Sequence, residues 1–510
     1  MLLNSPPTPT SNIAATLAAN RLGVPAVVFF VISAAAPLTV VAGGATTGYA
    51  ITGVPGIPVA YLATAAILAL FAVGYVAMSR RVVNAGAFYT YIAKGLGRPA
   101  GVGGAIVALL AYNAMQIGLY GGFGAVTADF VNPRLGVDVA WWAYALAAWA
   151  AVAVLGVLRV DLNGRVLAVV LSAEILIAVL FDVVMLAHPA PGTGLSLATL
   201  SPAHLVAPGI GAALVTTLTG FVGFENTTVF AEETRDPKRT VARATYIAVA
   251  ITGLLYGLSA WAMSVATGPD RIVAAATEDS TNLIFNLVQP HVGRFAVTVG
   301  QVLFISSLFA AVLSFHHTVA RYTFALGREG VVPAWLGRTS RRSGAPAAGS
   351  LTQTVLALAV LVGYVVAEAD PIKHLFFWVT VTGGLGVLIL MASTSAAVVG
   401  FFIFQRRGET WWRWLVAPGL ATGLLGLVLW ATIDDFATLL GVEPSSPLRW
   451  IFPVAYAVAA LIGIGWALLL RVLRPAVYEG IGLGARSVTA RALAPLARSI
   501  PAGAEEMDRS

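Results

Sequence analysis

Glu225 lies in TTLTGFVGFENTTVFAEETRDPKRT, residues 216 to 240, behind Gly220 and Gly223 in a run otherwise apolar enough to enter a bilayer. A central charge costs about 2.5–3.5 kcal/mol on insertion scales, and an interior glycine weakens a helix by about 1 kcal/mol relative to alanine. A helix serving only as an anchor would avoid both. The stretch therefore reads as a discontinuous transmembrane helix that binds something near the bilayer midplane. The plainer alternative is an unbroken span whose glycines permit close packing.

Other residues have comparable chemistry. FFVISAAAPLTVVAGGATTGY puts Pro37 inside an apolar run, with Gly43 and Gly44 shortly after. Proline removes a backbone donor and clashes with the preceding turn, so this helix is expected to kink or open. Glu174 and Asp182 sit in VLAVVLSAEILIAVLFDVVML. Eight residues of helix separate them by about 12 Å, so they do not form one catalytic pair. Each must be paired, hydrated or neutralised, and the deeper Glu174 is the stronger functional candidate. Asn113, Gln116 and Tyr120 in YNAMQIGLYGGFG face either a cavity or a neighbouring helix. His316 and His317 read as packing residues rather than pH sensors. Cysteine is absent and the six histidines show no ligand spacing, so no metal, disulfide or cofactor chemistry is expected.

These residues need a membrane to position them. The 510-residue chain is 58% hydrophobic and only 10% charged, with a mean hydropathy of +0.85, which excludes a water-facing globule of this size. Twelve apolar windows are expected at about 24–49, 56–78, 101–126, 140–158, 166–187, 209–231, 244–267, 295–318, 349–367, 375–403, 413–432 and 450–470. Each approaches the roughly 20 residues that cross about 30 Å of hydrocarbon. With both termini cytoplasmic, 25 of the 30 Lys and Arg lie inside and only Arg134, Arg271, Arg294, Lys373 and Arg449 outside, which the positive-inside rule favours. The net charge of +7 is spread over short loops, so no nucleic-acid partner is implied. The expectation is an all-α, multi-pass inner-membrane protein. Two interrupted helices five spans apart point to inverted repeats with a site at their interface.

The loops add detail. NAGAFYTYI after span two is patterned for a short helix at the interface or for an aromatic belt. STNLIFNLVQPHV, too short to cross, is expected to form an outer re-entrant or amphipathic helix between spans seven and eight. The tryptophans of WWRW and LRWIFP suit interfacial anchors for spans eleven and twelve.

Together, these segments resemble a known family. GFVGFENTTVFAEETRDPKRTVARA is similar to the sixth-helix signature of the amino acid, polyamine and organocation (APC) permease superfamily. NAGAFYTYIAKGLGRP resembles its first-loop motif, and ARYTFALGREGVVPAWLGR the motif after its eighth helix. The resemblance covers roughly residues 24–470. It implies the leucine-transporter type fold, twelve transmembrane helices arranged as a 5+5 inverted repeat plus two peripheral helices. On that division the transport core is 23–404, with repeats at about 24–187 and 209–403; spans eleven and twelve occupy 405–474, and 1–22 and 475–510 are cytoplasmic tails, the latter mostly disordered.

The resemblance also implies a site, which physics supports. Carbonyls near Thr219, Gly220, Phe221 and Val222, where the chain opens at Gly223, can accept from an ammonium. Amides near Leu38, Thr39, Val40 and Val41, following Pro37, can donate to a carboxylate at a helix N-terminus. An α-amino acid offers both groups, leaving its side chain to spans three, eight and ten. Many family members carry a gating aromatic where this chain has Thr219. Several proton-coupled members carry a lysine where this chain aligns Glu174, and a glutamate cannot imitate that cation.

The expected function is secondary active transport of an amino acid or related amine by alternating access. Proton symport is the favoured energy source, with Glu225 and then Glu174 as carriers, because a desolvated carboxylate can load and release a proton near neutral pH. The alternatives are an amino acid exchanger, a polyamine permease holding its amine on Glu174 and Glu225, or a non-transporting receptor. An enzyme is not expected, since no Ser-His, paired-Asp or metal arrangement falls at matched depth. The partners implied are a small-molecule substrate, protons and the lipid bilayer; oligomeric state is open.

Overall fold

The computed structural model describes residues 23–82, 86–158, 164–229, 234, 236–340, 343–405, 408–484 and 487. The expected tail 1–22, most of the tail beyond 484, and the acidic pair Glu232 and Glu233 of the sixth-helix motif lie outside the described residues. Described regular structure is helical throughout. Among the described residues, ten helices are long and apolar enough to cross a membrane. Span four, Trp141–Leu155, is shorter, and span six is divided into Ile210–Phe221 and Asn226–Val229. The twelve expected spans are thereby accounted for.

The remaining spans are Val24–Thr52, Ile57–Ser79, Arg98–Leu135, Gly164–Ala187, Pro237–Thr267, Leu283–Glu329, Ala347–Val366, Pro371–Phe404, Trp412–Asp434 and Ile451–Leu473. Span eight carries a kink at Gly293, with φ 75° and ψ 164°. Its first ten residues thus form the separate short helix foreseen from STNLIFNLVQPHV. Span ten begins as a π-helix, Pro371–Val379, whose free amides at Ile372 and Lys373 are capped by Asp370 Oδ1 at 2.8 and 2.6 Å.

Span three runs along the centre of the bundle and packs against spans eight, ten and twelve. Small residues permit this. A Cβ at Gly121 would stand 2.5 Å from the Pro371 carbonyl oxygen, and one at Gly103 would stand 3.0 Å from that of Ala460. Close backbone approach is what holds helices together where lipid removes the hydrophobic driving force between them. Spans eleven and twelve instead present Leu427, Trp430, Leu461 and Ile462 outward, as peripheral helices against lipid would.

Two local expectations change. The first-loop helix, Ala87–Gly95, does not lie on an interface, because Phe88, Tyr89 and Tyr91 are buried against spans three and ten. Three aromatic rings find more partners inside the bundle than at a lipid surface. The segment after span twelve also starts in order, as a helix Pro475–Gly480 followed by Gly482 and Gly484, which donate to Glu329 at 2.7 Å each. A buried carboxylate that takes backbone amides holds this first part of the tail in place.

Candidate functional site

Span one stops being α-helical at Ala35. Ala36 adopts φ 43°, and its N–H closes the helix onto Ile32 O at 2.8 Å. The next residue is Pro37, which disfavours helical geometry in its predecessor and offers no donor. A π-helical segment, Thr39–Ala45, then leads into Thr46–Thr52. Its first amides are already taken. Thr39 N–H donates to Ser307 Oγ of span eight at 3.3 Å and Val40 N–H to Ala36 O at 3.1 Å. The Glu174 carboxylate of span five lies beside the Leu38 N–H and the Ser307 hydroxyl. Of the four amides expected to be free for a ligand, Leu38 to Val41, those of Thr39 and Val40 are thus engaged within the protein. An orphan buried donor costs about 1–3 kcal/mol, and the chain fills the gap with its own acid. Glu174 is buried and its Oε2 has no hydrogen-bond partner among the described residues.

Span six opens through residues 222–225. Gly223 has φ 125°, which L side chains rarely adopt, and a Cβ there would lie 2.6 Å from Ala34 Cβ of span one. Glu225 closes the opening with both oxygens. Oε2 accepts from Gly223 N–H at 2.9 Å and Oε1 from the Tyr112 hydroxyl of span three at 2.7 Å. Tyr75 of span two donates to Glu225 O at 2.9 Å and bonds the Thr228 hydroxyl. Thr219 O and Phe221 O accept local turn bonds from Val222 and Phe224, both at 3.2 Å. The carbonyls of Gly220 and Val222 accept none among the described residues.

A cavity of about 60 Å³ lies between the two breaks, smaller than the roughly 300–1,000 Å³ usual for small-molecule sites. Of the residues expected from sequence, Thr39, Val40, Thr219, Gly220 and Val222 line it. Pro37, Leu38, Val41, Phe221 and Gly223 stand behind it and shape the breaks. Span one also contributes Ala34 to Ala36, Gly44 and Thr47, and span six contributes Thr216. The remaining walls come from spans three, eight and ten, as foreseen, through Met115, Leu119, Ala311, Phe315, Phe376 and Phe377, together with Thr380 and Val381.

Asn113, Gln116 and Tyr120 are not among the lining residues. Asn113 bonds back to Leu109 O at 2.6 Å. Gln116 bonds Tyr120 at 3.3 Å, His316 Nδ1 at 3.1 Å and the Gln353 amide, while His316 Nε2 meets Ser350 at 2.7 Å. These polar groups knit spans three, eight and nine. The reason is rotational: Gln116 and Tyr120 share one face of span three, and Met115 and Leu119, one residue or about 100° earlier, share the face turned to the cavity. Nothing in the local sequence sets that rotation.

Two helices broken near mid-span, each break with a buried carboxylate beside it from its own or a neighbouring span, surround a cavity inside an all-helical membrane bundle. That arrangement defines the class of multi-pass permeases with discontinuous helices. A family model described as amino acid permease matches residues 22–465, and the chain belongs to that family, within the APC superfamily. It is similar to an uncharacterized transporter of Mycobacterium tuberculosis, Rv1999c, at 26% identity over 249 residues, covering 48% of this chain and 49% of that protein. A Mycobacterium bovis transporter, Mb2022c, matches equally, so the chain aligns with about half the length of these relatives. It is also similar to the low-affinity putrescine importer PlaP of Escherichia coli, at 25% identity over 406 residues, 76% of this chain and 84% of the importer.

Proposed function

We propose that this permease is a secondary active carrier of an amino acid or related amine, working by alternating access around the breaks in spans one and six, with protons as the coupling ion. The observation that carries the reading is the pair of buried carboxylates at the two breaks. Glu225 holds Gly223 N–H and ties span six to span three; Glu174 lies beside Leu38 N–H and Ser307 of span eight. A proton on either acid weakens it as an acceptor for the hinge amide beside it, so loading a proton and loosening a break are coupled. The unpartnered Oε2 of Glu174 is a site where such a proton can rest. Both termini lie in the cytoplasm and the two groups of five spans act as inverted repeats in this reading.

The test is uptake into proteoliposomes under an inward proton gradient. Accumulation is expected to follow the gradient, and Glu225→Gln is expected to lower uptake by about 10²-fold or more, the scale of losing a group used in every cycle. Glu174→Gln acts in the same direction. Uptake indifferent to both the gradient and Glu225→Gln would sink the coupling. The second reading, exchange or polyamine import, draws on the similarity to a putrescine importer. It requires uptake only into vesicles preloaded with solute, or putrescine as the preferred solute.

A further inference from the structure

We infer that the groove where spans two, seven and eleven meet holds an anionic phospholipid, its phosphate on Arg80, Arg243 and Arg413 and an acyl chain over the small residues of span two. This site stands apart from the cavity between the breaks and depends on neither the substrate nor the coupling ion.

Spans seven and eleven both pack along span two, so the end of span two and the beginnings of the other two spans come together on one side of the bundle. The fold leaves cations unspent there. Arg80 caps span two and Arg243 lies in the second turn of span seven, and neither makes a hydrogen bond or ion pair among the described residues. Arg413 of span eleven pairs with Glu409 at 3.6 Å, and the same carboxylate takes Arg81 at 3.6 Å. The Glu409 side chain is only 7% exposed while that of Arg413 is 48% exposed, so the acid lies beneath the guanidiniums and their charge faces outward. Tyr246, about one turn after Arg243, is exposed and within the field of both Arg80 and Arg413. Three helix ends thus surround one hydroxyl. Other cations on this side are engaged internally: Arg98 donates to Glu479 O at 3.1 Å and shares the Tyr478 ring with Arg471, and Arg328 is fully buried.

Beyond the arginines, the surface suits a hydrocarbon chain. Span seven continues from Arg243 with exposed Tyr246, Ile247, Ile251 and Leu254, and span eleven from exposed Trp412 with Val416, Leu420, Leu424 and Leu427. Each set keeps to one helix face by its spacing. Span two lies between, gripped by span seven where a Cβ at Gly253 would stand 2.6 Å from Ala65 Cβ, and by span eleven where a Cβ at Gly74 would stand 2.9 Å from Pro418 Cβ. The face it shows outward carries exposed Ala66 and Ala69, then half-buried Val73. Arg80 follows on that same face, because seven and eleven residues are close to two and three full turns. Small side chains on the middle helix with larger ones on both flanks make a channel that leads to the cations.

The headgroup follows from the charges. A guanidinium fork matches the two free oxygens of a phosphodiester, and a basic pocket between transmembrane helices at the interface is suited to an anionic lipid. Choline or ethanolamine would add another cation to a cluster of arginines. Glycerol adds none, so phosphatidylglycerol fits where the zwitterionic lipids do not.

The experiment uses the full-length protein and lipids of matched acyl chains. Native mass spectrometry compares binding of phosphatidylglycerol, phosphatidylcholine and phosphatidylethanolamine, with glycerol 3-phosphate as a competitor, and a photoactivatable phosphatidylglycerol in nanodiscs maps the contact. Phosphatidylglycerol is expected to bind about tenfold or more tightly than either zwitterionic lipid, glycerol 3-phosphate to leave it in place, and the label to fall on peptides of spans two, seven or eleven. Arg80→Gln combined with Arg243→Gln should weaken phosphatidylglycerol by about tenfold and leave phosphatidylcholine within about threefold. Ala69→Leu, which narrows the channel and keeps every charge, should also weaken phosphatidylglycerol. Equal binding of the three lipids would overturn the inference, as would a label confined to other spans or unchanged binding in the double variant. Displacement by glycerol 3-phosphate would make this a site for free phosphate and overturn the lipid as its occupant. The wild-type comparison and the label map decide the matter even if the variants do not fold.

Discussion

The chemistry of this permease is concentrated in residues that do two jobs at once. Glu225 is a charge buried in hydrocarbon and also the cap of an interrupted helix. Gly223 is both the hinge and the point of contact between the two broken spans. Replacing Gly223 by alanine adds backbone strain of about 1–3 kcal/mol at φ 125°. It also drives a methyl group to 2.6 Å from Ala34 Cβ. Uptake is expected to be lost and the melting temperature in detergent to fall. Gly53 is the matched control: its φ is 66° but no atom lies within 4 Å of a Cβ there, so Gly53→Ala carries the strain without the collision. Equal loss in the two variants would show that contact between the breaks is irrelevant.

At the scale of elements, helices here are set by what fits between them. Span ten closes on span six at Gly384, where a Cβ would stand 1.8 Å from Thr219 Oγ1. Gly384→Ala must therefore push the two spans apart or turn Thr219 away, and a loss of about 1–3 kcal/mol in stability is expected. Adding Thr219→Ala should return part of it, a coupling that a double-mutant cycle in detergent unfolding measures directly. Strict additivity would mean the spans do not meet as described. Thr219 also stands where many family members carry an aromatic ring. In this chain aromatic surface reaches the cavity from span ten, where Phe376 rests 3.1 Å from the Cβ position of Gly43. A third element, the segment after span twelve, is tied in by Glu329, which accepts from Gly482, Gly484 and Tyr89. Hydrogen bonds to a charged group contribute about 1.5–3 kcal/mol, so Glu329→Gln is expected to expose the tail to protease before the bundle unfolds. Unchanged cleavage would remove the carboxylate from this role.

For the whole molecule, the open question is which way the bundle sits in the membrane. The chain contains no cysteine, so one introduced thiol reports sidedness without background. A cysteine at Gly136, after span three, is expected to react with an impermeant maleimide added outside intact cells, and one at Gly408, after span ten, only after permeabilisation. The reverse pattern would overturn the cytoplasmic assignment of both termini. The loop cations predict the first outcome, since Lys and Arg resist translocation.

Class, spans and breaks were legible in the sequence because their causes are local. Apolar length sets the spans; a missing donor at Pro37 and a backbone only glycine tolerates at Gly223 set where two helices must open. Glu174 and Glu225 stood out because a carboxylate in hydrocarbon is costly wherever it occurs. Tertiary structure decided what no local rule specifies. Which face of span three meets the cavity depends on rotation about the helix axis, fixed by packing against spans eight, nine, ten and twelve. That rotation brought Met115 and Leu119 to the site and buried Gln116 and Tyr120 among neighbours. Which group satisfies the Leu38 and Thr39 amides depended on spans five and eight arriving beside span one. The apolar character of the cavity wall exists only after those longer-range partners have been chosen.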